Sequence, residues 1–139
     1  MTKILQKPQP RVNSLTEPFW EAINREGKLL IQKCQEGVCG KYIFYPRVCC
    51  PFCQSSKLQW VPAKGTGVIL SNTTIHRPHH EGFIAECPYA FAAVELTEGP
   101  CIYTTLLGAP LDVSLVGRRV TMKPEQHGSN QKIPIFTLV

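Results

Sequence analysis

Five of the seven cysteines of this chain lie in one short, turn-rich segment, KCQEGVCGKYIFYPRVCCPFCQ. Cys34 and Cys39 form one pair, and Cys50 and Cys53 form a second pair with the spacing CPFC. Two cysteine pairs on two turns, joined by a hairpin, can place four thiolates at the corners of a tetrahedron, which is the geometry of structural Zn²⁺. A closed site of this kind has no open position for water or substrate, so we predict a structural role for the metal.

The two cysteine pairs differ in spacing. Four residues separate Cys34 from Cys39, where two are usual, so the first turn is predicted to be wider. Cys49 is adjacent to Cys50, but only Cys50 completes the CxxC with Cys53 and is therefore the predicted ligand. Three alternatives remain open. They are iron in a rubredoxin-like site, which fits the ligand type, a set of disulfides, and a redox-active CxxC, for which the chain lacks a βαβ context.

Composition limits the architecture and the cellular compartment. The 139 residues, 43% hydrophobic and 18% charged, suffice for one ordinary core or for a small core plus a stapled module. No apolar stretch reaches the roughly 20 residues of a membrane span, and the N-terminus lacks the features of a secretory signal. We therefore expect a cytoplasmic protein, in which thiols stay reduced and clustered cysteines bind metal more often than they form disulfides.

The stretch LTEPFWEAINREG predicts a short helix over residues 17 to 26, after a polar tail. Thr16 is the predicted N-cap, Pro18 suits the first turn, and Gly27 is a natural stop. A helix of this length is marginal in isolation, so its apolar side chains must cover another surface. We assign residues 1–27 to this tail and helix.

Residues 28–59 are predicted to form the zinc ribbon, and residues 60–139 a small β-barrel. The C-terminal part contains β-branched and aromatic runs bounded by glycine, which are typical of short strands. The predicted strands lie in GTGVILSNTTIHRP, in the two halves of YAFAAVELTEGPCIYTTLLG, in GRRVTMKP and in IPIFTLV. Five short strands favour an oligonucleotide/oligosaccharide-binding (OB) barrel, although the composition permits another small barrel. The predicted fold class is therefore mainly β.

The order and spacing of several sequence blocks resemble a known family. The blocks are PFWEAINREGKLLIQKC, CGKYIFYPRVCCPFC, Trp60 with the following GTGVI, PYAFAAVELTEG, LVGRRVTMK and IPIFTLV, and they span residues 17 to 139. They are similar to those of the small zinc-ribbon/OB-fold proteins encoded beside thiolases. The resemblance implies an N-terminal helix, a rubredoxin-like zinc ribbon and a five-stranded OB-fold barrel.

The same resemblance implies a function. Members of that family act as non-catalytic partners of thiolase-like enzymes, and some help to deliver acyl groups between active sites. One branch resembles the small subunit of bacterial multi-component acyltransferases that move acetyl groups onto phloroglucinol-type rings. The resemblance therefore implies a scaffold subunit with structural Zn²⁺ that bridges thiolase-like and ketosynthase-like catalytic subunits.

The helix and the ribbon tip contain more large apolar side chains than so small a module can bury by itself. The residues predicted to contact a partner are Phe19, Trp20, Ile23, Tyr42, Phe44 and Tyr45. Aromatic side chains in such positions are typical anchors of protein interfaces. The alternative is that the helix and the ribbon fold back onto the barrel.

The chain has several side chains that could take part in catalysis by type alone. They are His76, His79, His80, His127, Cys87 and Cys101. A nucleophile needs a base and an orienting third group, and no motif here supplies that set. We predict that HRPHHEGFIAECP is a polar connection between strands, that Cys101 is a small buried hydrophobe, and that no residue of this chain is catalytic.

Two other functions remain as alternatives, namely binding of an acyl-CoA or carrier-borne acyl group, and binding of single-stranded nucleic acid. The formal net charge of +5, from 15 Lys and Arg against 10 Asp and Glu, suits a polyanion but is also common on soluble surfaces. Nucleic-acid binding would need aromatic residues interleaved with cations on exposed strands. Phe91, Tyr103 and Phe136 lie among aliphatic residues and are predicted to be core, which disfavours nucleic acid.

Overall fold

The chain folds into two β-sheets with a short helix before them. The computed structural model describes residues 7–128 and 131–139. The first three strands are β1 (Leu30–Cys34), β2 (Tyr42–Ile43) and β3 (Leu58–Pro62), and the next five are β4 (Thr66–Ile75), β5 (Tyr89–Leu96), β6 (Cys101–Leu107), β7 (Arg119–His127) and β8 (Gln131–Leu138). Strands β2-β1-β3 form an antiparallel sheet, and strands β4-β5-β6-β8-β7 form a closed barrel.

Closure of the barrel depends on β4, which pairs with both β5 and β7. All pairs in the barrel are antiparallel except β6 with β8, where Leu106 lies opposite Phe136 in parallel register. A closed barrel leaves no long strand edge open to pairing with another chain. The prediction of a mainly β protein with an N-terminal helix and a five-stranded barrel is confirmed.

Close packing of β4 against β5 requires glycine at position 67. A Cβ atom there would lie 2.5 Å from the carbonyl oxygen of Glu95 and 2.7 Å from Cγ1 of Val94. Further along β4, the register with β5 shifts between Ile69 and Ser71. Irregularities of this kind bend a strand and increase its twist. Together these two features let one strand contact both neighbours in a small barrel.

The N-terminal helix occupies the predicted residues, but its geometry changes halfway. An α-helical turn, α1 (Glu17–Glu21), continues into a π-helical turn, Ala22–Glu26, which ends at Gly27 with a φ of 66°. Thr16 occupies the N-cap position as predicted, but its side chain makes no capping hydrogen bond. Instead, Thr16 Oγ1 accepts a hydrogen bond from the backbone N–H of Asn13, so Thr16 stabilises the turn that precedes the helix.

One hydrophobic core joins the helix, the ribbon sheet and the barrel. The side chains of Phe19 and Ile23 are 1% and 0% exposed, and they pack in the same cluster as Ile31 of β1 and Phe136 of β8. The prediction that Phe19 and Ile23 contact a partner is therefore wrong, because the chain buries both of them itself. The helix folds back onto the barrel, which was the stated alternative.

The ribbon and the barrel meet within one strand. β3 pairs along its whole length with β1, from Leu58 opposite Cys34 to Pro62 opposite Leu30. The predicted boundary between residues 59 and 60 falls inside this strand. Among the described residues, no helix has the length and apolar character that crossing a membrane requires.

Candidate metal centre and partner surface

The four predicted cysteine ligands lie together at one end of the ribbon. The Sγ atoms of Cys34, Cys39, Cys50 and Cys53 are all within 4.8 Å of one another. Two of the separations are 3.5 Å, between Cys34 and Cys53, and 3.7 Å, between Cys39 and Cys50. A tetrahedron with Zn–S bonds of about 2.3 Å places its sulfurs about 3.8 Å apart. The cluster therefore fits a four-coordinate metal, and Cys49, which is exposed, lies outside it.

Two different turns supply the ligands. Cys34 ends β1, and the wider first turn returns through Gly40, whose φ of 59° suits glycine. In that turn, the backbone N–H groups of Cys39 and Gly40 both donate to the carbonyl oxygen of Glu36. In the second turn, the N–H of Gln54 donates to the carbonyl of Cys50 at 2.8 Å. The extra residues between the first two cysteines are thus accommodated by a turn stabilised by its own backbone hydrogen bonds.

Backbone hydrogen bonds and neighbouring thiols shift the pKa values of Cys50 and Cys53 in opposite directions. Burial raises the pKa of the Cys50 thiol, but hydrogen bonds from the backbone N–H groups of Cys53 and Phe52 lower it, and the resulting pKa is about 7. A backbone hydrogen bond from Ser55 lowers the pKa of the Cys53 thiol, but partial desolvation and hydrogen bonds with the three other cysteines of the cluster raise it to about 12. Thiols so close together cannot all ionise without a cation, and the cluster therefore fits a thiophilic metal.

A buried glutamine fixes the segment that leads into the second turn. Gln32 on β1 is buried, its Oε1 accepts from the backbone N–H of Arg47 at 2.7 Å, and its Nε2 donates to the carbonyl of Arg47 at 2.9 Å. Strand β2 is only two residues long, so it does not reach Arg47. The Gln32 side chain instead provides the hydrogen bonds that hold this segment against β1. Sequence reasoning missed this contact, since an alternating strand pattern does not identify the partner of a buried amide.

Three of the remaining predicted interface residues, Trp20, Phe44 and Tyr45, line an aromatic groove between the helix, the ribbon tip and the barrel, whereas Tyr42 is not part of its lining. Phe19 is at the centre of the aromatic cluster, with ring centroids 4.9 Å from Trp20, 5.6 Å from Phe44 and 5.9 Å from Tyr45. The groove has a volume of about 330 Å³. Its barrel side is formed by residues of β5, β6 and β8, including Phe91, Tyr103 and Ile133. We call this surface the aromatic groove.

Exposure differs among the aromatic side chains. Trp20, Tyr42 and Phe44 are half-buried, whereas Tyr45 is exposed. Tyr103 is 72% exposed, so the prediction that it belongs to the core is wrong. Its position follows from the alternation of β6, in which Ile102 and Thr104 face the core. No Lys or Arg of the described chain lines the aromatic groove, so the groove lacks the cations that nucleic-acid phosphates need.

The histidines predicted to lie in a connection have structural partners or are solvated. His80 Nδ1 accepts from the backbone N–H of Gly82 and caps the 3₁₀ helix Glu81–Glu86. His76 Nε2 lies 3.3 Å from Asp112 Oδ1 with both side chains largely in water, and His79 is exposed. Buried His127 contacts the carbonyl oxygen of Pro8 through Nε2 at 2.8 Å.

Two cysteines, Cys87 and Cys101, lie outside the ribbon. Cys101 lies in β6, and burial, together with the charge of Glu95, raises the pKa of its thiol. A raised pKa keeps the thiol protonated and therefore weakly nucleophilic. Cys87 follows the 3₁₀ helix and is half-buried.

Two family models match adjacent parts of the chain. Residues 22–59 match the rubredoxin-like zinc ribbon domain of ChsH2, and residues 60–123 match the C-terminal OB-fold domain of ChsH2. The two matches meet inside β3, at the junction between the ribbon and the barrel.

Individual relatives agree with these matches. The solved structure of an Ltp2-ChsH2(DUF35) aldolase is 33% identical, with a TM-score of 0.79 over 94% of this chain and 98% of that chain. A probable enoyl-CoA hydratase alpha subunit from Thermomonospora curvata is 34% identical over 130 residues, and this chain spans only 39% of its length. A DUF35 domain-containing scaffold protein from Pyrococcus furiosus is 28% identical over 104 residues, which are 75% of this chain and 74% of that protein.

A more distant solved structure shares the fold. It is a DUF35 protein of unknown function from Sulfolobus solfataricus, 17% identical, with a TM-score of 0.61 over 91% of this chain and 86% of that chain. The ribbon with its four cysteines, the barrel and these similarities lead to one conclusion: the chain belongs to the ChsH2 (DUF35) family, in which a rubredoxin-like zinc ribbon precedes an OB-fold domain.

Proposed function

We propose that this chain is a non-catalytic, zinc-binding scaffold subunit of a complex whose catalytic subunit is a thiolase-like acyltransferase. Four clustered thiolates select a thiophilic metal, and Zn²⁺ is the usual occupant of a tetrahedral four-cysteine ribbon. The metal holds the two turns of the ribbon together and does no chemistry on a substrate. We also propose a cytoplasmic location, where seven free thiols remain reduced.

The single observation that supports a scaffold role best is the aromatic groove, together with the exposed rings at its edge. A folded chain that leaves Tyr45 and Tyr103 in water beside an apolar groove has a surface suited to another protein. The relatives point the same way, since one is named a scaffold protein and another is part of an Ltp2-ChsH2(DUF35) aldolase. The resemblance to the thiolase-associated family supplies the identity of the partner.

The finer part of the proposal is the reaction of the complex. The resemblance to small subunits of multi-component acyltransferases favours transfer of an acyl group, with C-acetylation of a phloroglucinol-type ring as the specific candidate. In this arrangement, the thiolase-like and ketosynthase-like subunits supply the nucleophile and base. This chain holds the two subunits in a fixed relative position. No side chain of this chain is assigned a catalytic role.

Co-purification with an epitope-tagged copy of this chain tests the scaffold role. A thiolase-like protein encoded in the same operon should elute with the tagged chain at a fixed stoichiometry, and the isolated chain should show no acyltransferase activity. A wild-type chain that elutes as a monomer beside the co-expressed thiolase-like protein would overturn the proposal.

A second cavity keeps acyl-group binding as an alternative function. It has a volume of about 450 Å³ and is lined mostly by apolar side chains of the barrel, among them Tyr89, Leu106 and Ile133. Pockets of this size and character accept small apolar ligands. Calorimetry with acetyl-CoA distinguishes the two functions, because a pure scaffold should give no heat of binding in the absence of its catalytic partner.

A further inference from the structure

The four clustered cysteines differ in their access to solvent. Cys34 and Cys50 are buried, Cys39 is half-buried, and Cys53 is exposed. A metal bound by this set would be shielded by the chain on the side of the two buried ligands. On the side of Cys53, the ligand sulfur is open to small molecules from solvent.

A shallow depression of about 760 Å³ leads to this open side of the cluster. Its lining comes from both metal-binding turns and includes Cys39 and Cys53. The charged side chains of the lining have both signs, and Lys57 Nζ lies 3.6 Å from Glu36 Oε1. The depression, which we call the ribbon depression, is therefore suited to a small neutral molecule.

The exposed sulfur has a close partner within the cluster. Cys34 Sγ lies 3.5 Å from Cys53 Sγ. Redox-sensitive cysteines are typically solvent-accessible thiolates beside a second cysteine that can form a disulfide with them. Metal coordination requires the thiolate form of its cysteine ligands. In the zinc-bound ribbon, Cys53 meets both conditions.

We propose that the ribbon is a peroxide-sensitive switch in which Cys53 is the ligand that is oxidised first. Hydrogen peroxide, which is small and uncharged, reaches Cys53 through the ribbon depression. The Cys53 sulfur attacks one peroxide oxygen, the O–O bond breaks, and the sulfur becomes a sulfenic acid, while the departing hydroxide takes a proton from solvent. The Cys34 thiolate then attacks the Cys53 sulfur, so that an S–S bond forms, the S–O bond breaks, and hydroxide again leaves as water. In total, two thiolates, one hydrogen peroxide and two protons give one disulfide and two waters.

Oxidation removes two of the four ligands, so the zinc is released and the two turns lose their main source of stability. Besides its cysteines, the cluster around the turns has only Ile43 as a fully buried side chain. The helix and the barrel keep their own core, which includes Phe19 and Phe136. The switch is therefore confined to the metal-binding turns.

The consequence for assembly rests on the proposed function. Tyr45, at the aromatic groove, lies between the two cysteine pairs in the chain. Unfolding of the turns removes the support on both sides of this segment. Oxidation should therefore weaken binding of the thiolase-like subunit.

Peroxide titration of the zinc-loaded full-length chain tests the inference. A chromophoric zinc chelator reports metal release, and mass spectrometry of peptides identifies the disulfide. We expect about one zinc to be released for each hydrogen peroxide consumed. The disulfide should join Cys53 to Cys34, and reduction with dithiothreitol should restore zinc binding.

Two ligand substitutions distinguish access from ligation. Cys53→His replaces the exposed thiolate by an imidazole, and three cysteines with one histidine are also a zinc-binding set. Peroxide should release zinc from this variant about tenfold more slowly than from wild type, because the accessible thiolate is absent. Cys39→His is the matched control, since it keeps Cys53, and its release rate should stay within about threefold of wild type.

Cys49→Ser removes an exposed thiol outside the cluster and should release zinc at the wild-type rate. A disulfide without Cys53, or oxidation confined to the cysteines outside the cluster with zinc retained, would overturn the inference. Equal release rates in wild type and a zinc-loaded Cys53→His would overturn it too. If Cys53→His does not bind zinc, the disulfide found in wild type decides.

Binding of the thiolase-like protein before and after oxidation tests the consequence for assembly separately. Loss of binding on oxidation, and its return after reduction with zinc present, would support control of assembly by the switch. Unchanged binding of the oxidised, zinc-free chain would overturn that control. A reduced, zinc-loaded chain that does not bind the thiolase-like protein would overturn the proposed function but not the oxidation of Cys53.

Discussion

The ribbon and the barrel achieve stability by different means. The barrel shares one large core of aliphatic and aromatic side chains with the helix and the start of β1, whereas a separate cluster around the metal-binding turns has only Cys34, Ile43 and Cys50 as fully buried members. A core of that size cannot offset the conformational entropy of the two turns, so we expect these turns to depend on metal binding for their fold. Because metal binding can replace apolar burial as the source of stability, large apolar side chains of the ribbon can remain exposed to solvent.

Loss of one metal ligand should produce the largest difference in stability between the ribbon and the barrel. Cys53→Ala should abolish zinc binding and unfold the two ribbon turns, because metal-binding free energy at such a site is folding free energy. The barrel should keep its β-sheet signal in circular dichroism. Elemental analysis gives the zinc content, and hydrogen exchange reports which segment loses protection.

Cys49→Ser is the matched control for this prediction, since Cys49 is next to a ligand but outside the cluster. It should retain one zinc per chain. Full zinc occupancy in Cys53→Ala would disprove the ligand assignment, and unfolding of the entire barrel in that variant would contradict the division of stability between the regions.

Removal of exposed rings at the aromatic groove should affect assembly without affecting the fold. We expect Tyr45→Ala and Tyr103→Ala each to weaken binding of the thiolase-like protein by about 2 kcal/mol, because exposed aromatic residues beside a groove are typical anchors. The midpoint of thermal unfolding should change little. Phe44→Asp, in contrast, should also lower stability, since Phe44 packs against buried Phe19.

Surface plasmon resonance and thermal unfolding measure the two effects separately. Val116→Ala, on an exposed barrel position away from the groove lining, is the control and should bind like wild type. Unchanged affinity in both tyrosine variants would exclude the aromatic groove as an interface.

Removal of the buried amide in the ribbon should have a smaller effect. Gln32→Leu leaves the backbone N–H and carbonyl of Arg47 without their partner, and an unmade hydrogen bond of this kind costs about 1–3 kcal/mol. The free energy of unfolding of the zinc-bound chain should fall by that amount in urea titrations. Gln59→Leu, on an exposed position of neighbouring β3, should be nearly neutral, and equal losses in the two variants would show that Gln32 has no special role.

Substitution of the loop histidines should have the smallest effect. Replacing His76, His79 or His80 by Ala should change the rate of the assembled enzyme by less than about tenfold, or roughly 1.4 kcal/mol, because none is placed as a general base. A thousandfold loss in steady-state rate with the complex intact would identify a catalytic loop in this chain.

The sequence allowed accurate prediction where the determining interactions are local. Cysteine spacing identified the four clustered residues, and it separated Cys50 from Cys49, because the geometry of a CxxC turn depends on few neighbours. The strands of the barrel were also predictable from their β-branched runs. Tyr103 was mispredicted although the signal was present, since alternation along β6 places it opposite the core-facing residues.

Long-range features could not be predicted in the same way. Burial of Phe19 and Ile23 depends on where the helix docks against β8, where Asn24 Oδ1 accepts from the backbone N–H of Lys132 at 2.7 Å. No local pattern specifies that contact. The excess of cations in residues 28–59, five Lys or Arg against one Glu, can in contrast be counted from the sequence alone.

The shared core of helix, ribbon and barrel has a mechanical consequence. Leu29 and Ile31, at the start of the ribbon, pack in the same cluster as Phe136 of the barrel. Independent movement of two modules requires a boundary that few contacts cross. Here, a change in the angle between the ribbon and the barrel would expose buried apolar surface. We therefore expect the ribbon and the barrel to move as one body, so that partners bound to each would be held at a distance and orientation set by the core.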